Sequence, residues 1–110
     1  MFARILEMTT KKGQARALCT AIEQKGLPIV GKFAGFVDGI CLISEEMPDS
    51  VLAMSYWQSR EAAEKFRTEG YPAVAEIYLP LLEGGIRVRG YEVPVAMTYN
   101  KGKGKAAGAS

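Results

Sequence analysis

Histidine is absent from the 110 residues, and cysteine occurs only at Cys19 and Cys41. Without histidine no Ser–His–Asp or Cys–His catalytic set can be built. The two cysteines have no CxxC spacing and no histidine to join them, so no zinc centre, and no metal, is expected. They read as reduced, half-buried thiols of a cytoplasmic protein. Charge of one sign is scarce as well. The net charge is +2, from 14 basic and 12 acidic side chains. Lys101, Lys103 and Lys105 stand in the last ten residues, and removing these three leaves 11 basic against 12 acidic. A nucleic-acid binder needs a basic face that neutralises several phosphates, and no such cluster exists here. Long apolar runs are missing too. None approaches the ~20 residues that span a bilayer, and Arg4 and Glu7 interrupt the stretch where a signal peptide would be apolar. Neither a nucleic acid nor a membrane is expected as a partner.

What is present is an ordinary globular share of apolar residues, 48%, in a length that suits one domain. Residues 2–8 read as a first strand. A helix follows over 12–25, with Ala15, Leu18, Cys19 and Ile22 forming one apolar stripe. Thr9 or Thr10 is the expected cap, Gly26 the expected residue just past its end, and Pro28 the block to continuation. The second strand is expected over 32–45, thinned by Gly35 and Gly39, which suggests a bulge or a close approach. In it Phe36, Ile40 and Leu42 point one way, and Phe33, Val37, Cys41 and Ile43 the other. After a turn at 46–50, Val51 to Trp57 completes a hairpin. Ser59 caps a helix over 60–68 with Ala62, Ala63 and Phe66 inward. Pro72 opens another helical segment carrying Val74, Ile77, Tyr78 and Leu81, and Pro80 disturbs it. Gly84 and Gly85 end that segment; they do not form a phosphate-binding loop. Residues 86–95 form the last strand. The domain is expected over 1–96, with a disordered Gly/Ala/Lys tail over 97–110.

The order β-α-β-β-α-β predicts an α+β fold of the ferredoxin-like type: a four-stranded antiparallel sheet with its helices on one face. Two helices cover one face only, so a monomer should be polar on the other. The central hairpin is instead apolar on both, with Val51, Ala53 and Trp57 alternating with Leu52, Met54 and Tyr56. A homodimer through the open sheet face is the expected remedy.

The segment from Leu52 to Phe66, a strand ending in Trp57-Gln58-Ser59 followed by Glu61-Ala62 and a helix, resembles the hallmark segment of the antibiotic biosynthesis monooxygenase (ABM) family, within the dimeric α+β barrels. The element order extends the resemblance over about residues 1–95. It implies a cavity between sheet and helices that holds a small planar apolar molecule such as a quinol or aromatic polyketide. It also implies a monooxygenase reaction that needs no cofactor. The polyketide oxygenases of the family carry an Asn four residues before the Trp, where this chain has Ala53. The haem-degrading members use an axial histidine, so haem degradation is not expected here. A non-catalytic dimeric binding module is the alternative.

No catalytic residue can be assigned, and six side chains are candidates for binding. Trp57 either stacks a planar ring or plugs the junction between strand three and the next helix. Arg4, a charge inside an apolar strand, either pairs with Glu7, Glu92 or a partner subunit, or clamps an enolate or carboxylate. Asp38 is either a desolvated base or a solvent-facing edge residue; with Arg4 it is also a candidate for proton chemistry in an isomerase or decarboxylase. Phe66 lies where the haem-degrading relatives place their ligand. Tyr71 and Tyr78 flank the broken helix and can turn a hydroxyl toward a cavity. Arg87 and Arg89 share one face of the last strand as a solvated or interface stripe.

Overall fold

A computed structural model describes residues 1–95; the expected tail over 97–110 lies outside the described residues. The order is β1 (Phe2–Thr9), α1 (Ala15–Ala21), a π-helical turn (Ile22–Gly26), α2 (Leu27–Val30), β2 (Phe36–Ile43), β3 (Ser50–Trp57), α3 (Arg60–Glu69), α4 (Tyr71–Tyr78), a 3-10 turn (Leu79–Leu81) and β4 (Arg87–Glu92). The strands form one antiparallel sheet in the order β2-β3-β1-β4. The ferredoxin-like α+β expectation therefore holds. No helix among the described residues is long and apolar enough to cross a membrane.

The alternation of side chains across each strand sorts the sheet into two faces. Phe2, Arg4, Leu6 and Met8 of β1 stand opposite Trp57, Ser55, Ala53 and Val51 of β3. Together they face the helices and the core, where Trp57, Val51, Leu18 and Val74 are fully buried. The other face carries Ile5, Leu52, Met54, Ile40 and Leu42, with Ile40 half exposed. It also carries Glu7, which is bridged by Arg89 at 2.7 Å and approached by Arg87 at 3.9 Å. The arginine stripe read from the spacing of two is thus tied to a carboxylate on the open face.

Three local expectations need correction. The first helix does not stop at Gly26. Gly26 keeps a helical φ of −78°, and the chain continues through Pro28 to Val30. Widening to a π-turn just before Pro28 absorbs the loss of its N–H, because the proline then falls in the first turn of α2. Glycine is required at 26 for room: a Cβ there would overlap the Tyr78 hydroxyl. Neither Thr9 nor Thr10 caps α1. Gln14 holds the cap position without a side-chain bond, while the Thr10 hydroxyl donates to the Lys11 carbonyl at 2.9 Å. Finally, Phe36 does not share a face with Ile40 and Leu42. The register against β3 slips between Phe36 and Asp38, since Phe36 pairs with Trp57 and Asp38 with the adjacent Tyr56. Val37 is the extra residue of this bulge, and it turns Phe36 toward the helices.

The β3–α3 junction follows its sequence closely. Ser59 caps α3, its hydroxyl accepting the Ala62 amide at 3.1 Å. Ala63 and Phe66 of α3 are buried against the sheet. Gly35, just before β2, has a φ of +91°, and a Cβ there would lie 2.5 Å from the Ala62 side chain. Backbone conformation and close packing both demand glycine at this point.

Candidate functional site

Between the helices and the sheet lies a cavity of about 260 Å³. Its floor is made of Leu6, Ala53, Ser55 and Val88 from the sheet, and its roof of Ile22, Val30, Phe66, Val74 and the tyrosines. α3 packs on β1 and β3, and α1 meets β2 where Cys19 approaches Cys41. Asp38 and Ile40 of the edge strand and Glu23 and Leu27 of the helical arm form an exposed rim.

Arg4 brings a charged side chain deep into this site. It is 8% exposed and lines the cavity. Its Nη2 donates to Glu64 Oε2 at 2.7 Å, and its guanidinium lies 5.1 Å from the Phe2 ring centroid. Its Nε is buried and has no hydrogen-bond partner among the described residues. The partner is neither Glu7 nor Glu92. Glu7 sits on the opposite face by strand parity, whereas Arg4 points at α3 and meets Glu64 there. That hydrogen bond holds the Glu64 carboxyl below the usual carboxylate range; Arg67 and Arg60 add weaker attraction. Glu64 therefore stays ionised and Arg4 stays oriented.

Trp57 is fully buried, and it is not among the side chains that line the cavity. Phe66 stacks on it with centroids 5.4 Å apart, and Phe36 meets it edge-on at 5.5 Å. Its Nε1–H donates to Ser55 Oγ at 2.9 Å. Trp57 is packed as a core plug, and Phe36 and Phe66 line the cavity beside it. Asp38 is exposed at the rim, and its carboxylate accepts the Gly39 amide at 2.8 Å. It is exposed at the sheet edge, where among the described residues β2 pairs with β3 alone.

Tyr71 and Tyr78 both line the cavity. Burial raises the pKa of each; the Cys41 neighbour adds to this for Tyr78, and Arg67 partly offsets it for Tyr71. Both hydroxyls stay protonated at neutral pH, which suits them to donate a hydrogen bond and not to accept a proton. Sequence reasoning missed three participants: Phe36, whose direction depends on the bulge, Glu64, and the Cys19–Cys41 pair. The two sulfurs converge on the cavity wall from α1 and β2. Burial, reinforced by the Cys19 contact, pushes the Cys41 thiol up to about 12 from 9.0.

This last shift predicts an alkaline weakness. A thiol that holds its proton longer in the folded chain contributes stability below pH 9, and that contribution disappears as the pH climbs toward about 12. Tyr78 acts in the same direction. The melting temperature should fall from pH 9 upward, and the fall should be shallower in Cys41→Ser.

Among the described residues, no group of three or more His, Cys, Asp or Glu side chains is placed to hold a metal ion. No family model matches the chain, and no curated protein matches it. Solved structures do. A monooxygenase of Streptomyces coelicolor in complex with nanaomycin D aligns with a TM-score of 0.74 at 16% identity, over 87% of this chain and 89% of its own. An antibiotic biosynthesis monooxygenase candidate from Bordetella bronchiseptica aligns with a TM-score of 0.73 at 10% identity, over 86% and 97%. A cofactor-independent oxygenase of Streptomyces nogalater aligns with a TM-score of 0.72 at 13% identity, over 87% and 95%. The chain thus has the fold of the ABM proteins, as the Leu52–Phe66 resemblance implies.

Proposed function

We propose that this chain is an ABM-like small-molecule protein. In this reading it works as a homodimer through its open sheet face, and its cavity receives a planar apolar compound bearing an acidic hydroxyl, such as a quinol or a small aromatic polyketide. The observation that carries the reading is the apolar cavity with Arg4 buried in it, one N–H still without a partner. Glu64 offsets part of the Arg4 charge, but the remaining N–H, in surroundings that screen poorly, still favours an oxyanion over a neutral oxygen. Flat aromatic side chains at Phe36 and Phe66 suit a flat ligand. The volume lies at the small end of ligand sites, which favours one or a few fused rings.

The reaction best suited to these groups is a cofactor-free monooxygenation. The substrate loses a proton to solvent, and Arg4 holds the resulting enolate or phenolate. The carbanionic form passes one electron to O2, the two radicals join at carbon as a peroxide, and loss of water leaves a ketone or quinone. One oxygen atom enters the product and the other leaves as water. The protein contributes orientation, desolvation and charge stabilisation. A monooxygenase and a cofactor-independent oxygenase among the structural neighbours support this class, and the free thiols fit a reducing cytoplasmic setting.

The test is oxygen consumption with an anthrone and hydroquinone panel, with Arg4→Gln alongside. We expect turnover to fall by roughly 100-fold in the variant, the usual cost of losing one oxyanion donor. Equal oxidation with and without protein would leave the binding-module alternative.

A further inference from the structure

We infer that Cys19 and Cys41 form a reversible dithiol–disulfide site in the cavity wall, oxidised by low-molecular-weight disulfides and stapling α1 to the edge strand β2. The Sγ atoms stand 2.7 Å apart. Two thiols in plain van der Waals contact stand farther apart than this, and the gap is within about 0.7 Å of a disulfide bond. The two side chains already meet, so bonding needs the Sγ atoms to close only this remaining gap. Neither cysteine is fully buried, so a small oxidant can reach them. No third ligand stands by to make the pair a metal site among the described residues.

Position gives the bond its consequence. Cys41 lies on β2, which among the described residues pairs only with β3. Cys19 lies on the helix that leads into the π-turn and α2, the arm forming one lip of the cavity. A bond between them ties both lips together at the wall, across a short sequence separation that favours closure within one chain.

The exchange proceeds in two steps. The Cys19 thiolate attacks one sulfur of oxidised glutathione; that S–S bond breaks, and one glutathione leaves and takes a proton. Cys41 then gives its proton to solvent and attacks the Cys19 sulfur. The Cys19–Cys41 bond forms as the second glutathione departs. Two cysteines have lost two electrons and one disulfide has become two thiols. Cys19 attacks first because burial keeps Cys41 protonated.

The experiment exposes the full chain to oxidised glutathione, with and without later dithiothreitol. We expect an intact mass lower by two hydrogens, with no glutathione retained. A non-reducing tryptic digest should join segment 17–25 to segment 33–60. The melting temperature should rise by roughly 15 °C, reversed by dithiothreitol, as closing a loop of this length implies. Cys19→Ser should show no rise. Cys41→Ser should trap a stable glutathione adduct at Cys19. Retention of two alkylatable thiols, a stable glutathione adduct on the wild type, or a covalent dimer on a non-reducing gel would each overturn the inference.

Discussion

Replacing Trp57 by alanine should destabilise the domain by about 3–5 kcal/mol, the usual cost of removing a large aromatic side chain from a packed core. A domain of this kind has only about 5–15 kcal/mol in total, so much of its stability would go with one side chain. The geometry explains why the cost lies at the upper end. Trp57 has no exposed surface and packs against Phe66 on one side and the Phe36 edge on the other. Its indole N–H is satisfied by Ser55, whose hydroxyl would lose that donor. Trp57 also joins β3 to α3, so its removal loosens the junction that orients Phe66. Chemical denaturation measures the loss. Trp57→Phe separates stability from ligand contact: it should retain most of the packing and leave the affinity for a planar ligand nearly unchanged. Phe36→Ala, which removes a cavity ring, should weaken that affinity. A Trp57→Phe variant that folds well but loses ligand would mean that the indole does reach the ligand.

Changing Ile40 to lysine should convert the proposed dimer to monomer, weakening association by roughly 100-fold or more, the scale of a charge forced into the apolar centre of an interface. Ile40 is half exposed in one chain, and it stands beside Met54 on a face that also holds Leu52, Leu42 and Ile5. Two-fold symmetry would bury each copy's substitution, so a single change acts twice. Because Ile40 is half exposed at the sheet edge and outside the buried core, the variant should stay folded as a monomer. Light scattering across a dilution series measures the shift. A wild-type chain that remains monomeric at tens of micromolar would remove the dimer from the proposed function. The Glu7 carboxylate and the arginines at 87 and 89 make the same face salt-sensitive.

Much of the architecture is legible without coordinates because it follows from period and punctuation. The 3.6-residue stripe from Ala15 to Ile22 gives α1. Ser59 places the start of α3 by satisfying an orphaned amide, and Pro72 and Pro80 bracket α4. The doubly apolar hairpin of β2 and β3 follows from period-two counting alone. These signals are local, so a chain of letters carries them in full.

Counting fails where a single residue changes phase or where partners are distant in sequence. One extra residue at Val37 reverses the direction of Phe36, and no composition rule locates a bulge to that accuracy. The helix runs past Gly26 and Pro28 because a π-turn and the Tyr78 hydroxyl supply reasons that exist only in three dimensions. Arg4 meets Glu64, and Cys19 meets Cys41, only once the helices are laid across the sheet. Local periodicity by itself determined the elements, their order and the apolar character of both sheet faces. Tertiary packing alone decided which side chains surround the cavity, because convergence depends on how strands register and helices cross, and neither is encoded by any short stretch of sequence.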